Sequence, residues 1–212
     1  MYPLNWKAEG RSCLVAGAGH VALRKARGLL AAKAEVTVVA PEGVHEFSAL
    51  AAEGRLRWER ASFRPGMERG ADFVVSTTGD VRVARYLSEA AARERFLYNA
   101  ADFPALGNCT LPAHFERGSL TVAVSTEGRS PAFSRYIRQW LETEIPENFG
   151  EWLDRLAELR EEAKETIEGS RAREAFWRAA FSGDVMRRVA EGQLEEAEEY
   201  IRHAMGGFGP ES

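Results

Sequence analysis

Ser12-Cys13-Leu14-Val15-Ala16-Gly17-Ala18-Gly19-His20-Val21-Ala22 is an apolar run, then a G-x-G-x-x-A turn, then the opening of an amphipathic pattern. Residues 12–16 read as a strand, and the 3.6-residue spacing from His20 to about Ala32 reads as a helix. Gly17 permits the tight turn between them. Gly19 lets a pyrophosphate approach the backbone, and small Ala22 lets the helix pack close to the strand. A helix start also offers unpaired N–H groups and a partial positive charge, which favour phosphate. In that context Gly17, Gly19, His20 and Val21 are expected to hold a dinucleotide. The alternative is a tight strand-to-helix turn with no ligand.

Downstream, strands and helices keep alternating. Strands are expected at Glu35 to Ala40, Leu56 to Arg60, Phe73 to Ser76 and Phe96 to Asn99, with helices at Val44 to Glu53 and Val81 to Glu94. Such alternation gives a parallel sheet flanked by helices, with ligands beyond the carboxyl ends of the strands. Ala113 to Phe115 and Leu120 to Val124 then flank Gly118, which suits a short hairpin. A helix starts where Ser130 can cap and Pro131 can take the first helical position, with Phe133, Ile137, Trp140 and Leu141 as its apolar face. Pro146 stops it, and the remainder of the chain is helical: Trp152 to Ile167, Arg173 to Phe181, Asp184 to Glu191 with Gly192 as its cap, and Leu194 to Ala204. The tail Gly206 to Ser212 is expected to fray. The expected fold class is therefore α/β, a Rossmann-like parallel sheet with a dimerisation segment and a C-terminal all-α domain. The expected boundaries are 1–112, 113–145 and 146–212.

Composition narrows the function classes. The chain has 212 residues, 45% of them hydrophobic, and 28 Lys and Arg against 32 Asp and Glu, a formal charge of −4. That balance advertises neither nucleic acid nor an anionic membrane as partner. Its apolar runs fall far short of the roughly 20 residues of a membrane helix. Met1 to Gly10 does not read as a signal peptide, so a cytoplasmic location is expected. Cys13 and Cys109 match no metal or redox spacing and read as packed thiols. No metal ligand set is expected.

Where the second strand ends, Ala40-Pro41-Glu42 meets the place of an adenosine ribose. Pro41 and Glu42 are candidates there. Glu42 suits ribose hydroxyls and has no basic residue beside it in the sequence, which favours NAD over NADP. After the fourth strand, Thr78 and Gly79 of Ser76-Thr77-Thr78-Gly79-Asp80 are placed to line the cofactor, and Asp80 reads equally well as the cap of the next helix.

Taken together with Tyr2-Pro3-Leu4, Arg24-Lys25-Ala26, Val36-Thr37-Val38-Val39-Ala40-Pro41, Asn99-Ala100-Ala101-Asp102 and Leu120-Thr121-Val122-Ala123-Val124-Ser125-Thr126-Glu127-Gly128-Arg129-Ser130-Pro131-Ala132, these residues resemble the precorrin-2 dehydrogenase family, the N-terminal module of siroheme synthase and its stand-alone relatives. The resemblance implies NAD-dependent oxidation of precorrin-2 to sirohydrochlorin, followed in some relatives by Fe(II) chelation to siroheme, a lyase step. It also implies a homodimer whose helical domain closes over the tetrapyrrole, with the active site between the domains. It ties catalysis to Asp102, since dehydrogenation sends a hydride to nicotinamide and a proton to a base. It places Ser130 at a helix start suited to a substrate carboxylate, with Arg129, Arg135 and Arg138 as candidate partners for the others. His114 is a lesser candidate for a metal or a proton. Ala18 and Lys33 stand where the family commonly has Gly, and His20 where it often has a charged residue. Because the chain stops at 212, methylation is expected to fall to another protein. The rival reading is an NAD-sensing regulatory domain without catalysis, which needs the glycine turn but neither Asp102 nor the Ser130 helix start. A small reductase of another kind would need a Tyr-Lys pair or a His-based acid near the nicotinamide, and no such pairing is read: neither Tyr86 nor Tyr98 has a lysine four residues on.

Overall fold

The computed structural model describes residues 1–181 and 183–207. They form two units, one of Met1–Leu111 and one beginning at Pro112. Gly206 closes the last helix, and residues 208–212 of the tail expected to fray lie outside the described residues.

The first unit holds β1 (Ser12–Ala16), β2 (Glu35–Val39), β3 (Arg57–Glu59), β4 (Phe73–Ser76) and β5 (Leu97–Ala100), with helices α1 (His20–Ala31), α2 (His45–Ala52) and α3 (Val81–Glu94). Every pairing is parallel and the strand order is β3-β2-β1-β4-β5. Succession therefore runs outward from β1 on both sides, and the crevice for a ligand opens between β1 and β4. Side-chain alternation divides each strand between two apolar layers. Cys13, Val15, Val36, Val38 and Val75 face Ala22, Ala26, Phe47 and Leu50 of α1 and α2. Leu14, Val39, Val74 and Tyr98 face Leu87, Ala90 and Ala91 of α3. Burial on both sides explains why these strands read as continuous apolar runs.

Helix α1 ends with Lys33 at φ 58°. Its N–H donates to the Leu30 carbonyl and that of Ala34 to the Leu29 carbonyl, both at 3.0 Å. This is the closure a glycine usually makes, here with a left-handed lysine. Beyond β5, a 3₁₀ turn at Pro104–Leu106 folds the chain back along the sheet edge. The N–H groups of Asn108 and Cys109 donate to the Tyr98 carbonyl (3.0 and 3.2 Å), and Asn108 Oδ1 accepts from Tyr98 N–H at 2.7 Å. The open edge is thus covered. In the loop before β4, Glu68 is fully buried. Its carboxylate accepts from the Tyr86 hydroxyl at 2.6 Å and from Gly66 N–H at 2.8 Å.

The second unit opens with an antiparallel hairpin, β6 (Ala113–Arg117) and β7 (Leu120–Val124), turning on Gly118 at φ 54°. Helices α4 (Pro131–Glu144), α5 (Asn148–Thr166), α6 (Ser170–Ala180), α7 (Gly183–Ala190) and α8 (Leu194–Gly206) complete it. Trp152, Leu159, Ala163 and Ile167 of α5 make the core with Phe176, Val185, Val189, Ala197 and Ile201. Pro146 breaks α4 from α5 but does not divide two bodies. A Cβ on Gly150 would lie 2.6 Å from the Arg117 carbonyl, and Arg117 donates to the Ile145 and Glu142 carbonyls at 3.2 and 3.1 Å. Hairpin, α4 and α5 are one packed body. The expected apolar face of α4 is only partly covered: Ile137 and Leu141 are half-buried, but Phe133 and Trp140 are 55% and 52% exposed, as is neighbouring Tyr136 at 63%, and the buried residue of the helix is Ser134.

Candidate functional site

Three loops meet at the carboxyl ends of β1, β4 and β5. Gly17 N–H donates to the Val39 carbonyl (2.9 Å), Thr77 N–H to the Ala16 carbonyl (2.8 Å) and Ala101 N–H to the Ser76 carbonyl (3.0 Å). These bonds continue the sheet past its last paired residues and fix where the loops emerge. Gly17 takes φ 111°, and a Cβ there would sit 2.4 Å from Thr77 Oγ1 and 2.8 Å from the Thr77 carbonyl oxygen. Gly19 is different, because a Cβ there would have nothing within 4 Å. Gly19 also precedes α1 without giving it a side-chain cap. The first backbone bond of the helix is Leu23 N–H to the Gly19 carbonyl, so the N–H groups of His20, Val21 and Ala22 are open to an anion. This cradle of space and donors fits a dinucleotide pyrophosphate. Ala18 is absent from the residues with positive φ, so its departure from glycine carries no backbone strain.

Asp102 is exposed and lies at the lip of the same end of the sheet. Its Oδ2 accepts from Gly79 N–H at 2.8 Å, tying the loop after β5 to the loop after β4. Behind it, buried Ser76 Oγ and Tyr98 Oη share a hydrogen bond of 2.8 Å, and burial pushes the Tyr98 phenol up. Asp80 caps α3, accepting from Arg82 N–H at 2.8 Å. The Arg82 side chain and N–H hold the Asp80 carboxyl below the usual carboxylate range. That settles the two readings of Asp80 in favour of the cap. Thr78 Oγ1 accepts from Asp80 N–H at 3.2 Å, leaving Thr78 and Gly79 exposed at the rim.

At the adenosine end Pro41 and Glu42 are exposed just past β2. Sequence reasoning missed their surroundings. A Cβ on Gly43 would lie 2.4 Å from Ala18 Cβ, and Val44 N–H donates to the Ala18 carbonyl at 3.0 Å. Trp58 Nε1 donates to the Ala40 carbonyl at 3.0 Å, and the Arg60 guanidinium lies 4.0 Å over the Trp58 ring. Because the Glu59 carbonyl accepts from Ala40 N–H, parallel β3 brings the basic Arg60 to the end of β2. The sequence around Glu42 carries no basic residue, and the one that β3 brings alongside the end of β2 is engaged by the Trp58 ring and by Ser48 Oγ at 3.2 Å.

Ser130, Arg129, Arg135 and Arg138 belong to the second unit. Ser130 Oγ accepts from Phe133 N–H at 3.2 Å, as a helix cap does. Its own N–H is held by Thr126 Oγ1 at 3.2 Å. Arg129 and Arg135 are exposed. Arg138 is ion-paired with Glu142, so it is not a free cation for a substrate. His114 is exposed, with Nδ1 at 3.2 Å from the Pro112 carbonyl oxygen. Among the described residues no group of three or more His, Cys, Asp or Glu is placed to hold a metal. Burial pushes the Cys13 thiol up to about 12 and the Cys109 thiol up to about 11, so both are poor nucleophiles. No helix is long and apolar enough to cross a membrane, among the described residues.

A parallel sheet with this strand order, a glycine turn and an uncapped helix start defines a Rossmann-type dinucleotide-binding protein. Comparison with known proteins makes that specific. A family model described as "Putative NAD(P)-binding" matches residues 4–113. Models for the sirohaem biosynthesis protein central region and the sirohaem synthase dimerisation region match 117–144 and 148–205. The chain belongs to this NAD(P)-binding family, in the form found as the N-terminal module of siroheme synthase. It is 36% identical over 210 residues to the siroheme synthase of Nitrosococcus oceani, covering 99% of this chain and 45% of that protein. It is 35% identical over 207 residues to that of Methylobacillus flagellatus, covering 98% and 44%. The chain therefore spans less than half the length of these relatives. Among solved structures it resembles SirC, precorrin-2 dehydrogenase, with a TM-score of 0.76 and 26% identity over 96% of this chain and 100% of that one.

Proposed function

We propose that this protein is an NAD-dependent precorrin-2 dehydrogenase that makes sirohydrochlorin in siroheme biosynthesis, acting as a cytoplasmic homodimer. The observation that carries the reading is Asp102. It is an exposed carboxylate tied to Gly79 N–H at 2.8 Å, on the same sheet end as the open N–H groups of His20 and Val21. The likeness to a precorrin-2 dehydrogenase structure along nearly the whole chain supports it. NAD, when bound, supplies the hydride acceptor. Gly19 leaves room for the pyrophosphate, the start of α1 binds it, Glu42 takes the ribose hydroxyls, and Thr78 and Gly79 line the path toward Asp102. Removing two electrons from the substrate transfers one hydrogen as hydride and leaves one proton. Asp102 takes that proton at its Oδ1, which has no partner among the described residues. Arg129 and Arg135 remain available for substrate carboxylates.

The homodimer reading rests on α4. Phe133, Tyr136 and Trp140 lie at i, i+3 and i+7, one stripe of the helix, and all three are more than half exposed. A stripe of this kind marks a protein contact, and the matched dimerisation-region model covers the adjoining helices.

The test monitors reduced-nicotinamide absorbance when the purified protein meets NAD and enzymatically generated precorrin-2. Asp102→Asn keeps an acceptor for Gly79 N–H and removes the base, so it is expected to slow turnover at least about 10²-fold. NAD binding should stay within about twofold, since the loop tie is preserved. If NAD binds but no reduction occurs in the wild type, the protein is a sensor and the dehydrogenase reading fails.

A further inference from the structure

We infer that the helical unit carries an oxyanion site of its own, in the groove where Arg160, Lys164 and Arg173 converge, suited to a small ligand bearing several carboxylates or a phosphate. The groove has a volume of about 360 Å³ and is lined by Arg160 and Lys164 of α5 and by Ser170, Arg173, Glu174 and Trp177 of α6. It belongs to the second unit, outside the dinucleotide site, and the inference does not depend on the dehydrogenase reading.

The pairing of charges in this unit singles the groove out. Elsewhere on α5 to α8 every arginine but Arg171 is neutralised. Arg155 lies between Glu151 and Glu198, Arg202 between Glu162 and Glu198, and Arg178, Arg187 and Arg188 each meet a carboxylate. Arg160 makes no hydrogen bond or ion pair among the described residues. Arg173 donates to the Ile167 carbonyl at 2.9 Å and meets no carboxylate. The remaining unpaired one, Arg171, is exposed and outside the groove. On the groove wall Glu174 is committed to Arg178 at 2.7 Å, and Lys164 is held by Glu161 at 2.6 Å. Arg160 and Lys164 stand four residues apart on one face of α5, a spacing at which like charges repel. Arg160 and, from the next helix, Arg173 have no carboxylate to balance them and are stabilised when an anion enters the groove, with Lys164, held by Glu161, at its edge. Trp177 is locked as a wall, stacked on Phe181 with centroids 5.8 Å apart and meeting Phe176 edge-on at 5.0 Å.

The experiment is calorimetric titration of the full chain at low ionic strength with citrate and, separately, with inorganic phosphate. At least one probe is expected to saturate with a Kd of about 1 mM or tighter. Citrate alone identifies a polycarboxylate ligand and phosphate alone a phosphoryl one. Arg160→Glu and the milder Arg160→Gln should each weaken binding at least about tenfold, while Arg171→Glu changes it less than about twofold. Unchanged thermal midpoints and NAD affinity would show that the variants remain folded. Absence of saturable binding by both probes overturns the inference. So does a Kd that both Arg160 variants leave within about twofold of the wild type.

Discussion

Replacing Gly17 and Gly19 by alanine separates folding from binding within one motif. At Gly17, φ is 111° and the new Cβ would meet Thr77 Oγ1 at 2.4 Å and the Thr77 carbonyl oxygen at 2.8 Å. The backbone conformation costs about 1–3 kcal/mol for an L-residue, and overpacking against a carbonyl that cannot rotate away costs another ~1–3 kcal/mol. Gly17→Ala should therefore lose about 2–6 kcal/mol, a large share of the ~5–15 kcal/mol that holds a domain folded. Gly19 has an extended backbone at φ −82°, and its added Cβ meets nothing. Gly19→Ala should cost less than about 1 kcal/mol, the scale of a weakened helix cap. Its methyl would instead stand in the path of the pyrophosphate, raising the Kd for NAD at least about tenfold. Urea unfolding monitored by circular dichroism reads the first effect, and NAD titration of the folded variant reads the second. A Gly17→Ala protein as stable as the wild type would refute the steric argument. A Gly19→Ala protein that binds NAD normally would remove the phosphate from the start of α1.

Lys33 and Arg95 hold left-handed helix ends at φ 58° and 67°. Lys33→Gly and Arg95→Gly should each stabilise by about 0.5–1 kcal/mol, visible as a higher urea midpoint with an unchanged slope; a loss of stability would mean that their side-chain contacts outweigh the strain. Cys13 and Cys109 have folded pKa values raised from 9.0 to about 12 and about 11. The unfolded chain thus loses these protons first. The stability due to keeping the thiols neutral is complete below pH 9 and declines as pH rises through the folded values. Unfolding free energy measured from pH 8 to 11 should fall less steeply in a Cys13→Ala/Cys109→Ala protein, and equal slopes would contradict the burial argument. Trp140→Glu on the exposed stripe of α4 should convert dimer to monomer in sedimentation without loss of helicity; a persistent dimer would move the pairing surface to the helices of 148–205.

The sheet was legible because its strands are buried on both faces and punctuated by glycine and proline. β1, β4 and α3 fall on the expected residues. Asp80 and Ser130 stood out as caps because a short oxygen-bearing side chain before a helical pattern has a local partner three residues away or fewer. Glu68 was not legible, for Tyr86, the partner that buries it, reaches it only after α3 packs. The face of α4 misled for a related reason. Periodicity reports that a stripe is apolar, and cannot report that the chain leaves it exposed.

Local chemistry in the sequence determined the Rossmann turn and the order of strands and helices, since each depends on residues within one or two turns of chain, whereas the candidate role of Asp102 came from the family resemblance. Tertiary structure alone decided that Gly17 answers to Thr77, that Arg60 comes to the end of β2, that Asp102 is tied to Gly79, and that Arg160 and Arg173 share a groove without a carboxylate to balance them. Those are meetings between segments brought together by parallel pairing or helix packing. Their partners lie on another strand, loop or helix, beyond the reach of any periodic pattern.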